Sequence, residues 1–288
     1  MLGLGNSIVN LDFVSGATAA LLLDAFDGAS AAYSFRHLNS SYSGNAINVR
    51  RVNDHAEAEI GFSGGVLDTT ALAAHCGSND GFVDTWFDQS GNGYDLTQDN
   101  RDYQPKIYDG SSASVMADAS GKPALEFDGV DDGFVINSSP IASYDIGNMS
   151  SFIVGKFNNT ANTTVMLALS SAAANRRWYA PYVTAGTFYF GYSDSSSAAS
   201  ATANTNQNLF TMIAGSTLGT MGAWVNATSA GTATLSSGFN EYTNGIGIFN
   251  GTQFFLNGNV QEVFYYSSDK SDKRTGIQSN VNSFYSIY

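Results

Sequence analysis

Short segments with the two-residue periodicity of β-strands, separated by turn residues, fill most of this 288-residue chain. In "AAYSFRHL", the aromatic Tyr33 and Phe35 alternate with the polar Ser34 and Arg36, so one face of a strand would be apolar. Similar segments recur as far as "NVQEVFYY". Because they do not alternate with long helices, the sequence predicts an all-β fold, a two-sheet antiparallel jelly-roll sandwich with one or two short helices.

Two segments interrupt the strand pattern and predict helices. Asp68 can cap a helix in "LDTTALAAHC", and "SDKSDKRTGIQSNVNSFYSIY" predicts a terminal helix followed by a closing strand. Residues 1–30 are apolar, and we expect them to form an N-terminal arm outside a concanavalin-A-like sandwich of residues 31–288. The arm would either dock to a partner, with a homo-oligomer as the expected assembly, or pack on its own sandwich.

Charge and cysteine content exclude several classes of protein. The formal net charge is −13, with only 12 Lys and Arg residues, so nucleic-acid binding is not expected. Cys76 is the only cysteine; it cannot form an intrachain disulfide and is predicted to be a buried apolar residue. The sequence lacks an apolar run of roughly 20 residues and the basic start of a signal peptide, so we expect neither membrane insertion nor signal-directed export.

Acids, amides and glycines are concentrated in "FVDTWFDQSGNGYDLTQ". Asp88, Ser90 and Asn92 occupy alternate positions, Gly93 follows, and Asp99 stands where a calcium loop would end. The last ligand would be Asp rather than Glu, however, and no helices are predicted beside the loop. We favour a tight turn in which the acid and amide side chains bond their own backbone. We therefore expect no cofactor, with calcium at this loop as the weaker alternative.

Three further acids, Asp128, Asp131 and Asp132, occur in "LEFDGVDDGFV". They could bind a cation, but the same residues suit a hairpin turn whose carboxylates accept hydrogen bonds from backbone amides. We favour the turn and predict no metal site.

Glu126 and Glu262 are acids on otherwise apolar strands. A glycoside hydrolase needs two carboxyl groups beside the scissile bond, about 5 Å apart for retention of configuration and further apart for inversion. We favour the alternative for Glu262, in which hydrogen bonds to its carboxylate anchor the last strand. His37, His55 and His75 lack the spacing of a metal or nucleophile motif and are predicted to be structural. No catalytic residue is predicted.

Aromatic and basic side chains are grouped in "NRRWYAPY", which contains Arg176, Arg177, Trp178, Tyr179 and Tyr182. This composition suits stacking on sugar rings, whereas strand alternation would place half of the side chains in the core. The ligand-binding residues therefore stay open.

Several of these segments resemble known families. "ALEFDGVDDGFV", "SSFIVGKF", "GAWVNAT", "GIGIF" and "NVQEVFYYSSDKSDKRTGIQSNVNSFY" occur in an order typical of concanavalin-A-like, laminin-G-type jelly rolls. "AAYSFRHL", "AINVRR", "DTTALAAHC", "FVDTWFDQSGNGYDLTQ" and "QPKI" are similar to the start of the catalytic sandwich of α-L-arabinofuranosidase B. That resemblance implies a retaining glycosidase with a Glu nucleophile and an Asp acid/base later in the chain.

The combined pattern also resembles tail, head-fibre or decoration proteins of bacteriophages. From this resemblance we predict a non-enzymatic virion surface protein, made in the host cytoplasm, with other virion proteins and a host surface glycan as partners. The alternative is a glycoside hydrolase of the α-L-arabinofuranosidase type.

Overall fold

Antiparallel strands form nearly all of the regular structure in the computed structural model, which describes residues 20–118, 120–136, 148–171, 176–191, 199–215, 220–234, 244–249 and 253–288. The strands of the first half of the chain are β1 (Ala31–Ser34), β2 (Ile47–Arg51), β3 (Glu57–Ile60), β4 (Phe62–Ser63), β5 (Val66–Leu67), β6 (Gly81–Trp86), β7 (Leu96–Thr97), β8 (Lys106–Asp109), β9 (Ser114–Val115), β10 (Leu125–Asp128) and β11 (Phe134–Ile136). Those of the second half are β12 (Ser150–Phe157), β13 (Thr164–Val165), β14 (Leu167–Ser171), β15 (Arg176–Thr184), β16 (Thr187–Gly191), β17 (Ala199–Thr202), β18 (Asn208–Ala214), β19 (Thr220–Val225), β20 (Thr228–Thr234), β21 (Asn244–Ile246) and β22 (Asn257–Tyr266). The helices are α1 (Leu22–Ala25), α2 (Thr69–Cys76) and α3 (Arg274–Tyr285), with a 3₁₀ turn over Arg101–Tyr103.

The strands pair in two layers. The first layer has the order β20-β19-β18-β12-β22, and the far edge of β22 pairs with β1 and β10 in tandem. The second layer has the order β17-β16-β15-β14-β21-β11-β7-β6-β2-β3. Strand β8 links the layers because it pairs with both β6 and β10. All of these pairs are antiparallel, and the predicted all-β sandwich is confirmed.

Side-chain alternation along β12 and β22 separates two apolar clusters. Ile153 and Val263 point into the main core between the layers, where Trp86 and Trp178 of the second layer also lie. Their neighbours along the strands point the other way and pack against α1 and α3: Phe152, Val154, Phe264 and Tyr266. Successive side chains of a strand face opposite sides, so a strand covered on both sides can be apolar throughout.

Both predicted helices are present, but the predicted closing strand is wrong. The Asp68 carboxylate accepts hydrogen bonds from the backbone N–H groups of Thr70 and Ala71 at 3.1 and 2.9 Å, which caps α2. At the end of α3, Ser286 adopts a left-handed conformation with φ of 55°. The Asn282 side chain then accepts from the N–H groups of the last two residues, so the chain turns back on its helix instead of extending.

The first described residues pack on the sandwich. Leu22 and Leu23 are buried against α3, and the Leu23 N–H donates to the carbonyl oxygen of Leu38 at 2.8 Å. Residues 1–19, which form most of the predicted arm, lie outside the described residues. The docking role of the arm and the domain boundary at residue 31 stay predictions. Among the described residues, none of the helices is long and apolar enough to cross a membrane.

Candidate active site

The Asp88 loop is a turn whose carboxylate oxygens are already occupied. One oxygen of Asp88 accepts from the N–H groups of Ala32 and Ser90, both at 2.8 Å. The other accepts from the Ser90 hydroxyl at 2.7 Å and from the Tyr94 N–H at 3.1 Å. Asp99 is exposed and belongs to no cluster of metal-ligating side chains among the described residues. Four donors converge on the Asp88 carboxylate, so the turn prediction is confirmed, and the calcium alternative stays a prediction.

The second group of acids also forms a turn, here called the acid turn (residues 128–132). One oxygen of Asp128 accepts from the N–H groups of Val130 and Asp131 at 2.7 and 3.3 Å. Asp132 in turn accepts from the N–H of Asp128 at 3.0 Å. The predicted capping of backbone amides is therefore confirmed. It uses only part of the hydrogen-bonding capacity of the three carboxyl groups.

Burial and mutual repulsion perturb the acids of this turn. One oxygen from each of Asp128, Asp131 and Asp132 lies within 4.8 Å of the others. Burial, and then the neighbouring charge of Asp128, raise the pKa of Asp132 to about 7. Partial burial and the charges of Asp128 and Asp102 also raise the pKa of the half-buried Asp131. The acid turn thus holds a carboxyl group that keeps its proton near neutral pH beside more exposed carboxylates, an arrangement that separates a proton donor from a nucleophile.

A cavity of about 270 Å³ adjoins this turn, and we call it the acid-turn cleft. The turn lies directly against β22, because a Cβ at Gly129 would come within 2.8 Å of the Asn257 Cβ. Gly129 also has a φ of +81°, in the left-handed region that favours glycine. The other lining side chains are amides, hydroxyls and phenyl rings: Asn159, Asn162, Thr163, Thr164, Phe254 and Phe255. Amides and hydroxyls can exchange hydrogen bonds with sugar hydroxyls, and the ring of Phe254, 43% exposed, can cover an apolar sugar face.

Glu262 is an anchor inside the protein and not part of the cleft. It is fully buried, and its carboxylate accepts from the Ser34 hydroxyl at 2.7 Å and from two Arg36 nitrogens at 2.8 Å. The Tyr285 hydroxyl donates at 3.2 Å. Glu126 stands elsewhere, opposite Lys106 and Asn259 in the β-ladder. The structure therefore confirms the anchoring prediction for Glu262 and does not pair it with Glu126.

The aromatic segment of β15 is mostly core. Trp178 is fully buried, and its indole N–H donates to the Ser151 hydroxyl at 2.9 Å. Tyr179 is buried against Phe249, with ring centroids 5.5 Å apart. Tyr182 is half-buried and stacks on Tyr189 at 5.0 Å. The side chains of Arg176 and Arg177 lie outside the described residues, so among the described members of this segment only Tyr182 has a partly exposed ring.

The Cys76 thiol is buried, and the rings of His37 and His55 each lie beside a polar group of the protein. Burial raises the pKa of the Cys76 thiol to about 11, which makes it a poor nucleophile. His37 lies 2.9 Å from the Tyr42 carbonyl oxygen, and His55 lies 3.2 Å from an Arg50 guanidinium nitrogen.

Sequence reasoning missed the acid-turn cleft. Its parts come from residues 129, 159–164 and 254–257, which are distant in the chain. The signal that could have indicated one wall is the run "NNTANTT", which is unusually rich in amides and hydroxyls directly after β12. The other signal is the exposed Phe254, which has a φ of 54° that non-glycine residues rarely adopt.

The comparisons with known proteins point to glycoside hydrolases. The sequence model of the family described as "Alpha-L-arabinofuranosidase B, catalytic" matches residues 27–228. No curated protein sequence matches the chain.

Solved structures share the fold. A GH54 α-L-arabinofuranosidase soaked with a cyclic sulfate inhibitor is 16% identical, with a TM-score of 0.70. A mutant GH54 α-L-arabinofuranosidase soaked with 4-nitrophenyl α-L-arabinofuranoside is 17% identical, with a TM-score of 0.71. An arabinofuranosidase complexed with arabinofuranosyl-α-1,2-xylobiose is 17% identical, with a TM-score of 0.62. Each match covers 90% of this chain and 64% of the solved chain.

These findings correct the functional prediction made from the sequence. The prediction of a non-enzymatic virion surface or decoration protein is wrong, because the family that matches is a catalytic domain of a glycoside hydrolase. The resemblance that led to it rested on a strand order and turn pattern that many sandwiches share, and fold alone does not determine function. The resemblance of the N-terminal segments to the arabinofuranosidase sandwich is confirmed. Since the family match extends over more than half of the 288 residues, the chain belongs to the α-L-arabinofuranosidase B catalytic family.

Proposed function

We propose that this chain hydrolyses α-L-arabinofuranosidic bonds at the acid-turn cleft. The observation that carries the proposal is membership of the arabinofuranosidase B catalytic family over residues 27–228. The chain spans 64% of the length of the solved arabinofuranosidases, so the proposal concerns the sandwich and not any further part of those proteins.

The acid turn supplies the chemistry. Asp132, whose pKa is raised to about 7, is the proton donor to the leaving-group oxygen. Asp131, half-buried beside it, is the nucleophile that attacks the anomeric carbon. One oxygen from each carboxyl group of the turn lies within 4.8 Å of the others, which matches the separation of about 5 Å in retaining enzymes and is shorter than the separation in inverting enzymes. A glycosyl–Asp131 ester then forms, and Asp132 takes a proton from the water that hydrolyses it.

This assignment differs from what the family resemblance implies, namely a Glu nucleophile. The three acids of the acid turn are aspartates, and Glu262 is already bonded to Ser34, Arg36 and Tyr285. Asp is chemically equivalent as a nucleophile, because a carboxylate of either length forms the same acylal-type ester. The shorter side chain requires the sugar to approach the turn more closely.

The test is hydrolysis of 4-nitrophenyl α-L-arabinofuranoside, followed by the release of nitrophenol. We expect turnover by the wild-type chain, and a loss of about 100-fold or more in kcat for Asp132→Asn, as for removal of a general acid or base. Asp131→Gly should also abolish turnover, and added azide should restore it by giving the glycosyl azide. Asp109→Asn is the matched control, because Asp109 caps another turn by accepting from the Ser111 N–H at 2.9 Å.

The pH profile separates the two roles. Proton donation requires protonated Asp132, so kcat/KM should fall as pH rises through about 7. No release of nitrophenol by folded wild-type chain would overturn the proposed function. Full activity of Asp132→Asn and Asp131→Gly would move the chemistry away from the acid turn while leaving the substrate class in place.

A further inference from the structure

A second cavity opens on the surface near the start of the chain, among residues 37–65. It measures about 430 Å³ and lies between the loop that follows β1 and the β4–β5 hairpin. Three rings line it: those of Tyr42, Phe62 and His37, all half-buried. The His37 ring lies 5.1 Å from Phe62 and 6.3 Å from Tyr42, centroid to centroid. We call this cavity the Tyr42 groove.

Glycines keep the groove open. A Cβ on Gly44 would come within 2.5 Å of the Tyr42 hydroxyl, so the tyrosine ring folds over a position that must lack a side chain. Gly61 also lines the groove, and a Cβ there would contact only the Asn45 side-chain oxygen, at 3.0 Å. The Tyr42 hydroxyl donates to the Asn45 carbonyl oxygen at 2.7 Å, which fixes the ring at the wall of the groove.

The lining combines apolar rings with neutral hydrogen-bonding groups. Ser43 is exposed, and the Asn45 amide is held by a hydrogen bond to the exposed Glu59 carboxylate. Lys and Arg are absent from the described residues that line the groove. An anionic ligand would therefore meet no compensating charge here, while the net charge of −13 would repel it. A neutral ligand with alternating apolar faces and hydroxyl groups is complementary to these walls.

We propose that the Tyr42 groove is a second carbohydrate site, which binds a neutral, arabinose-bearing polysaccharide without cleaving it. The ligand class rests on the proposed function. The groove is formed by other elements than the acid-turn cleft, which lies between β10, β13 and β22, and no carboxyl group belongs to the described residues that line the groove. Binding at the groove would hold a polysaccharide on the protein between cleavage events. A second contact raises the effective concentration of the polysaccharide at the acid-turn cleft.

The test is affinity electrophoresis in gels that contain soluble arabinoxylan, with hydrolysis of 4-nitrophenyl α-L-arabinofuranoside measured in parallel. Phe62→Ala removes one ring, and we expect about tenfold weaker binding to the polysaccharide with unchanged hydrolysis of the small substrate. Phe62 also packs against the main core, so a second variant, Gly61→Gln, fills the groove without removing a ring. The matched control is Ser63→Gln on the same hairpin, which is exposed and does not line the groove.

The outcomes distinguish the two proposals. The groove is supported as a separate binding site if arabinoxylan retards the wild-type chain, Ser63→Gln and Asp132→Asn in the gel but does not retard Gly61→Gln. Equal retardation of Gly61→Gln and wild type, or no retardation of wild type, overturns it, whatever the hydrolysis assay shows. Retardation through the groove without any nitrophenol release would overturn the proposed hydrolysis and leave the groove assignment standing.

Discussion

Replacing Glu262 by Gln should destabilise the sandwich, because Glu262 is an anchor for the last strand. Its carboxylate is fully buried and accepts four hydrogen bonds, from Ser34, twice from Arg36 and from Tyr285. Burial alone would lower the pKa of Arg36, but the charge and hydrogen bonds of Glu262 outweigh it, and the net effect raises that pKa. Arginine does not lose its proton in proteins, so the guanidinium, at 9% side-chain exposure, is left buried without its counter-charge after the substitution.

The expected cost follows from this geometry. Gln keeps one acceptor oxygen, but its NH₂ group replaces the other and faces the donors of Arg36 or Ser34, with which it cannot form hydrogen bonds. The substitution also leaves the Arg36 charge without its counter-charge. Loss of one partner of a buried pair costs about 3–5 kcal/mol, and the retained oxygen favours the lower end of that range. For a chain of this size we expect the melting temperature to fall by roughly 5 °C.

Urea unfolding followed by tryptophan fluorescence and thermal unfolding followed by circular dichroism measure this difference. The control is Lys106→Gln, which removes the Lys106–Asp80 pair; its side chains are 30% and 31% exposed, and its loss should cost within about 1 kcal/mol. Adding Arg36→Met to Glu262→Gln should recover part of the stability, because it removes the unpaired charge. If Glu262→Gln unfolds at the same urea concentration as Lys106→Gln, the anchoring role is wrong. If it keeps full stability while hydrolysis disappears, Glu262 takes part in the chemistry.

Three other predictions concern stability and reactivity. The pKa of Asp132 is raised from 3.8 to about 7 in the folded chain, so the unfolded chain loses this proton at a lower pH than the folded chain does. The free energy of unfolding should therefore fall by at most about 4 kcal/mol as pH rises from about 4 to 7, and Asp132→Asn should not show this fall. If the urea midpoints of wild type and Asp132→Asn change equally between the two pH values, the prediction is wrong. Gly258→Ala should destabilise the chain by about 1–3 kcal/mol in urea unfolding, because the added Cβ would lie 2.1 Å from the Lys156 carbonyl oxygen on the paired strand β12. An unchanged urea midpoint would show that the two strands can move apart at low cost. Cys76 should react with a disulfide reagent only after unfolding, since its thiol is buried and its pKa is raised to about 11, and rapid labelling of the folded chain would refute this.

The sequence by itself determined the features that depend on neighbours a few residues apart. The alternation in β12 and β22 follows from chain geometry, since successive side chains face opposite sides of a strand wherever that strand lies. The caps at Asp68, Asp88 and Asp128 are equally local, because each carboxylate bonds N–H groups two or three residues ahead. The all-β fold, the helix at residues 69–76 and the turn character of the acid clusters could therefore be predicted.

Only the tertiary structure decided which of these residues share a site. Glu262 meets Arg36 across 226 positions of sequence, and the walls of the acid-turn cleft come from three separate segments. The spacing of acids in "FDGVDD" is the same whether Asp132 is exposed or buried, yet its proton affinity depends on that burial and on the charge of Asp128. Local hydrogen bonds are specified by adjacent residues, whereas burial and the proximity of charges arise only when distant strands pair and exclude water. The anchoring role of a Glu on the apolar last strand could therefore be proposed from the sequence, and the acid-turn cleft could not.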